Sequence, residues 1–182
     1  MKEVRIISLS GNIGAGKSYI ANIAVNQFGY KQFLLAGVVK SIVCQLEGIR
    51  LEELENRETK EKYRPLIIEY AEKMKEVDPL CFCKCVYNQI LSSLSDKTKL
   101  IIVDLRYPFE CSYFETKCKT ESKYQLSYKS LYIESDLANK SSTHSSESWN
   151  KYLKANADGI IFNGTEERYS RNRLINQLAR FL

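Results

Sequence analysis

Apolar positions follow two rhythms along this chain. Val4–Leu9, Lys99–Asp104, Ser130–Glu134 and Gly159–Asn163 are short, nearly continuous apolar runs closed by a glycine or a polar residue. Runs of that length and density predict strands buried on both faces, as in a parallel sheet. Gln32–Leu35 is the weakest member of the set. Between the runs the period lengthens to that of a helix. Lys17–Gln27 carries Ile20, Ile23 and Ala24 at helical spacing and meets a stop signal at Gly29. Ala36–Leu46 reads as a helix ended by Gly48, and Leu51–Met74 as a charged helical stretch with a turn near Thr59 and a kink or break at Pro65. Asp78-Pro79 predicts the start of another helix, with Asp78 as N-cap and Pro79 at the first helical position, running to about Ser92. Asn163-Gly164 is turn chemistry, and Thr165–Leu182 predicts a last amphipathic helix.

Strands alternating with helices predict a three-layer α/β fold around a five-stranded parallel sheet, in one domain spanning 1–182. In such sheets ligands gather at the carboxyl ends of strands, here at Gly11, Asp104, Glu134 and Asn163.

The first of those ends carries the strongest chemistry. Gly11-Asn12-Ile13-Gly14-Ala15-Gly16-Lys17-Ser18 matches Gly-x₄-Gly-Lys-[Ser/Thr] between a predicted strand and a predicted helix, with Tyr19 directly after it. Glycines let backbone N–H groups turn toward phosphate oxygens, and the helix that follows aims its positive end at the same anion. Lys17 is expected to reach the β- and γ-phosphates of ATP, and Ser18 to ligate Mg²⁺. P-loops serve switches, motors and kinases alike. The chain contains no Asn-Lys-x-Asp guanine reader of the GTPase type. At the end of the third predicted strand, Asp104 stands where a metal-associated carboxylate belongs, with Arg106 two residues on.

Composition narrows the class without changing it. A net charge of +5 suits a protein handling two polyphosphates, and no motif argues for nucleic acid. Arg168, Arg171, Arg173 and Arg180 crowd the last helix and read as a solvated face. No apolar run reaches membrane-spanning length and the N-terminus does not read as a signal peptide, so a cytoplasmic protein is expected, in a host cytoplasm if virus-encoded. Cys44, Cys81, Cys83, Cys85, Cys111 and Cys118 are then reduced thiols. Cys81-Phe82-Cys83-Lys84-Cys85 lacks the second ligand pair of a zinc site. A homodimer is left open.

Asp-x-Arg-x-Pro-x-Glu, here Asp104 to Glu110, resembles the deoxynucleoside monophosphate kinases of bacteriophages and large DNA viruses. Several segments are similar to that family in order and spacing: Phe33–Lys40, Tyr63-Arg64-Pro65-Leu66, Val77-Asp78-Pro79, His144-Ser145-Ser146-Glu147 and Asp158–Thr165. Animal-type phosphomevalonate kinases share parts of the pattern. The resemblance implies an adenylate-kinase-like fold with a helical acceptor-binding region at about 36–95 and a mobile lid at about 134–147. It implies that Lys17, Ser18 and Asp104 serve ATP and Mg²⁺, with Lys17, Asp104 and Arg106 catalytic. Lys40, Arg64, Arg106 and Glu110 would bind the acceptor, and Gly164 and Thr165 would lie near the adenine. Where the family often has an arginine after the strand ending at Glu134, the nearby cation here is Lys140; His144 would belong to the same lid. The implied reaction moves the γ-phosphoryl of ATP to a nucleoside monophosphate. Phosphomevalonate is the rival acceptor, and a non-catalytic nucleotide-binding protein on a kinase scaffold the rival class. Tyr63, Tyr70 and Tyr107 are candidates to stack on a base.

Overall fold

The two-faced apolar runs do pair side by side. In the computed structural model, which describes residues 3–94, 98–136, 138, 148–164 and 171–182, five strands form one sheet. They are β1 (Glu3–Ser10), β2 (Lys31–Leu34), β3 (Lys99–Val103), β4 (Gln125–Glu134) and β5 (Gly159–Phe162). The order is β2-β3-β1-β4-β5, and every neighbouring pair is parallel. Central β1 therefore has β3 on one side and β4 on the other, and its carboxyl end lies where successive strands diverge to opposite sides.

Alternation along each strand sorts the core into two layers. Val4 and Ile6 of β1, with Leu100 and Ile102 of β3, pack beneath α2 (Leu35–Glu47), α3 (Arg57–Val77), α4 (Cys81–Ser93) and α5 (Pro108–Thr120). Ile7 and Leu9, with Ile101 and Val103, face α1 (Lys17–Phe28) and α7 (Arg171–Ala179). A short helix, α6 (Asn150–Ala155), precedes β5. The expected three layers and parallel sheet are thus what the chain forms. Gly29 and Gly48 close α1 and α2 in the left-handed conformation, as their positions predicted.

The differences lie mostly in helix boundaries. The break expected near Thr59 falls at Asn56, whose side chain accepts from the N–H groups of Glu58 (2.9 Å) and Thr59 (3.3 Å) and caps α3. A short 3₁₀ turn, Leu51–Glu55, precedes it. Pro65 does not end α3, which continues through it to Val77. Tyr63, Leu66, Ile67, Tyr70, Ala71 and Met74 recur at helical spacing and pack on the core, so tertiary packing overrides the proline. Glu61 and Pro65 are both exposed, which leaves the carbonyl that Pro65 cannot satisfy open to water.

Asp78 is not the N-cap of α4, nor Pro79 its first residue: the helix begins at Cys81. Asp78 instead accepts from Leu80 N–H at 3.0 Å and from the Lys84 ammonium at 2.6 Å, holding the turn before the helix. Strand β4 begins five residues ahead of the expected Ser130, because its first half is half-exposed and polar on one side. Helix α5 was not singled out by the pattern. Within 165–182 the described helix is Arg171–Ala179.

Cys83 is buried in α4, Cys85 exposed and Cys81 between them. Burial pushes the Cys111 thiol up to about 11 and that of Cys118 to about 12, so both stay protonated at neutral pH. Among the described residues no group of acidic, histidine or cysteine side chains could hold a metal by itself, and no helix is long and apolar enough to cross a membrane.

Candidate active site

The loop after β1 is built by exclusion of side chains. Gly11 has φ +143°, and a Cβ there would lie 2.4 Å from the Ile133 carbonyl oxygen of β4. Gly16 has φ +87°, and its Cβ would lie 2.1 Å from Nδ2 of Asn163, the residue that follows β5. Asn163 uses that same Nδ2 to donate to the Ala15 carbonyl at 2.9 Å. Glycine is required at Gly16 because a strand-end amide presses against the loop and braces it. From β4, the Tyr132 hydroxyl donates to Asn12 Oδ1 at 3.3 Å. Lys17 is buried, and its ammonium donates to the carbonyls of Gly11 (2.7 Å) and Asn12 (3.0 Å). Three strand ends thus fix the loop at the N-terminus of α1, where backbone N–H groups concentrate positive charge.

Asp104, directly after β3, has φ +73° and is the described non-glycine residue in the left-handed region. That conformation costs roughly 1–2 kcal/mol for an ordinary side chain and less for Asp. It turns the chain sharply between β3 and the Arg106 loop. Glu110 then holds that loop from inside. It is buried, and one carboxylate oxygen accepts from Arg106 N–H (2.7 Å) and Tyr107 N–H (3.1 Å) as the N-terminal cap of α5. Burial raises its pKa, opposed by those N–H groups and by the charges of Lys75 and Arg106. Glu110, expected to bind the acceptor, thus braces the Arg106 loop and also lines the cavity beside it.

The two halves meet in one cleft of 540 Å³. Ile13, Gly14, Gly16, Lys17 and Ser18 line it together with Lys40, Arg64 and Arg106, and with Asp104 from the end of the strand beside β1. Sequence reasoning missed Lys60, one helical turn before Arg64 on α3, which lines the same cleft. Its signal was the i,i+4 pairing of cations, hidden in a helix where every second residue is charged. Arg64 is exposed and pairs with Glu61 at 2.9 Å.

Past Ala36, Ile67, Ile68, Asp104 and Arg106 the cleft continues into a second cavity of 490 Å³ between α2, α3 and the Arg106 loop. Leu35, Val39, Ala71 and Phe82 make it largely apolar; Glu72, Lys75 and Glu76 sit at its far end. Tyr107 also lines it, with one ring face stacked on Phe109 at 5.1 Å. Tyr63 and Tyr70, also named as stacking candidates, pack on the core.

On the other side of the loop, Asn12, Tyr132, Glu134, Asn163 and Gly164 border a cavity of 260 Å³. Glu134 is bound there by Lys154 at 2.5 Å, a cation that sequence reasoning also passed over. Tyr19 is exposed on the first turn of α1. Lys140, His144 and Thr165 lie outside the described residues.

The sequence model of the phosphomevalonate kinase family matches residues 9–120, from the end of β1 through the P-loop, α3 and the Arg106 loop to the end of α5. Among solved structures, a putative kinase from Chloroflexus aurantiacus superposes with a TM-score of 0.55 at 9% identity, over 100% of each chain. Dephospho-CoA kinase from Campylobacter jejuni gives 0.49 at 17% identity, over 100% of this chain and 98% of that one. At 9% identity the likeness to the Chloroflexus aurantiacus structure is one of fold. No curated protein matches the chain.

Proposed function

The chain belongs to the phosphomevalonate kinase family, and within that family of small-molecule P-loop kinases we propose that it is a nucleoside monophosphate kinase, moving the γ-phosphoryl of ATP to a (deoxy)nucleoside monophosphate. One observation carries the reading. The P-loop shares a single cleft with four cations, Lys40, Lys60, Arg64 and Arg106, which is more positive charge than an uncharged hydroxyl acceptor needs. Such a cleft suits an acceptor that is itself an anion.

The reaction then needs little covalent help from the protein. A phosphate monoester has a second pKa of about 6, so the attacking oxygen is already ionised at neutral pH and no general base is required. Bringing two anions into line requires neutralisation and positioning. Lys17 would exchange its loop carbonyls for the β- and γ-phosphates. Ser18 and Asp104 would hold the Mg²⁺ that travels with the nucleotide, where it neutralises phosphate charge; one hydroxyl and one carboxylate suit an ion that keeps substrate phosphates and waters as its other ligands. Arg106, braced by Glu110, would hold the acceptor phosphate with Arg64, Lys40 and Lys60. ATP's base would lie toward Gly164.

Phosphomevalonate is the second reading, favoured by the name of the family. It ends in a carboxylate, and the far end of the acceptor cavity carries Glu72 and Glu76 around Lys75. A carboxylate tail would be opposed there, whereas a base edge would not. Assay of ADP release with Mg·ATP separates the readings. Turnover with deoxynucleoside monophosphates and none with phosphomevalonate is expected. The opposite pattern would transfer the assignment to phosphomevalonate, and nucleotide binding without turnover on either would mark a non-catalytic protein.

A further inference from the structure

One face of α3 runs the length of the acceptor cleft and changes character as it goes. Lys60 and Arg64 stand beside the P-loop. Ile67, Ile68 and Ala71 form the apolar middle, and Glu72 and Lys75 follow at the far end. Arg64 to Glu72 is eight residues, or about 12 Å of helix rise. Cationic, apolar and mixed-charge stretches thus succeed one another along a single helix.

The charged residues at the far end differ from the others on the helix. Glu61 is paired with Arg64 and Glu69 with Lys73. Among the described residues no hydrogen bond or ion pair engages the Glu72 or Glu76 carboxylate. Lys75 is held by its surroundings: its ammonium lies 4.9 Å from the Tyr107 ring centre and 5.7 Å from that of Phe82. Glu72 therefore presents an acidic acceptor three residues from the cationic donor Lys75 on the same helix, with Glu76 and the buried Glu110 also lining the cavity.

Resting on the nucleoside monophosphate reading above, we propose that the acceptor is a guanine nucleotide, (d)GMP, read by Glu72 and Lys75. Guanine alone among the common bases puts two adjacent N–H donors, N1–H and the 2-amino group, next to a carbonyl acceptor, O6. A carboxylate accepts both donors side by side, and an ammonium donates to the neighbouring oxygen. Thymine offers a single N–H between two carbonyls. Adenine and cytosine offer an amino group next to a ring nitrogen acceptor, which leaves the second carboxylate oxygen facing a lone pair.

The test compares kcat/KM for dGMP, dAMP, dCMP, dTMP and dIMP with Mg·ATP, in the wild type and in Glu72→Gln. Deoxyinosine monophosphate is dGMP without the 2-amino group. Expected are dGMP as the best acceptor and a loss of about tenfold or more from dGMP to dIMP, the scale of one hydrogen bond to a charged group. In Glu72→Gln that dGMP/dIMP ratio should collapse toward one, with an unchanged melting temperature because Glu72 is exposed. Turnover of monophosphates with dGMP not preferred, or with a dGMP/dIMP ratio that Glu72→Gln leaves intact, overturns the guanine assignment and leaves the kinase reading standing. Turnover of none of them removes both.

Discussion

The two sides of the central cleft are held by different means. The P-loop wall is braced by backbone and buried contacts: Asn163 on Ala15, the Gly11 and Gly16 approaches to β4 and Asn163, and Lys17 folded onto its own loop. The α3 wall carries its cations on an exposed helix, where Arg64 has an ion pair with Glu61 that water screens. Arg106 is intermediate, its backbone fixed by buried Glu110 and its side chain extending into the cleft. A rigid donor cradle facing a softer acceptor wall means that nucleotide binding and acceptor binding should respond separately to mutation.

Substitutions on either side of the cleft should therefore separate the two kinds of binding. Lys17→Ala should have the largest effect, on the order of 10³-fold in kcat/KM or about 4 kcal/mol, together with lost ATP affinity in a direct binding titration. Near-normal turnover in that variant would remove the P-loop from the chemistry. Arg106→Ala should cost on the order of 10²-fold, about 3 kcal/mol, with ATP affinity kept. Arg106→Lys should stay impaired, since an ammonium lacks the guanidinium fork. Arg64→Ala should be milder, about tenfold and mainly in the acceptor KM, because an exposed, ion-paired arginine must be drawn from Glu61 before it serves. A larger loss at Arg64 than at Arg106 would reverse the proposed order of the acceptor wall.

The smallest effect is on stability, at Glu110. Burial lifts its folded pKa above the unfolded value, so the unfolded chain releases that proton at lower pH than the native one does. Its contribution to stability is full below the unfolded pKa and declines as pH rises through the folded one. Glu110→Gln carries no such proton. Urea unfolding of both proteins should show the variant gaining on the wild type from acid to neutral pH. A gap that moves the other way would mean that the backbone N–H groups and Lys75 outweigh burial.

How much of this was legible beforehand follows from what each feature depends on. The P-loop is local: eight consecutive residues between a strand and a helix specify it, and the sheet that presents it was readable from four apolar runs. Asp104 and Arg106 were legible for the same reason, being two residues apart at a strand end. Glu110 was legible as a member of its motif, but its burial beneath the Arg106 loop depends on how α5 packs, and α5 has no clear apolar stripe. The acceptor wall is non-local. Lys60, Ile67, Glu72 and Lys75 share a face only because α3 stays helical through Pro65, which local propensity argued against. Likewise nothing in the sequence around Lys154 announces that it meets Glu134, twenty positions earlier.

On this reading the cleft passes a phosphoryl group between two phosphate-bearing molecules. Incubation with γ-labelled ATP, Mg²⁺ and each deoxynucleoside monophosphate, followed by separation of the products, tests it most directly. Label should move into a deoxynucleoside diphosphate, and Arg106→Ala should suppress this transfer while ATP still binds. Label that remains in ATP, or that appears only as inorganic phosphate whichever acceptor is present, would contradict it.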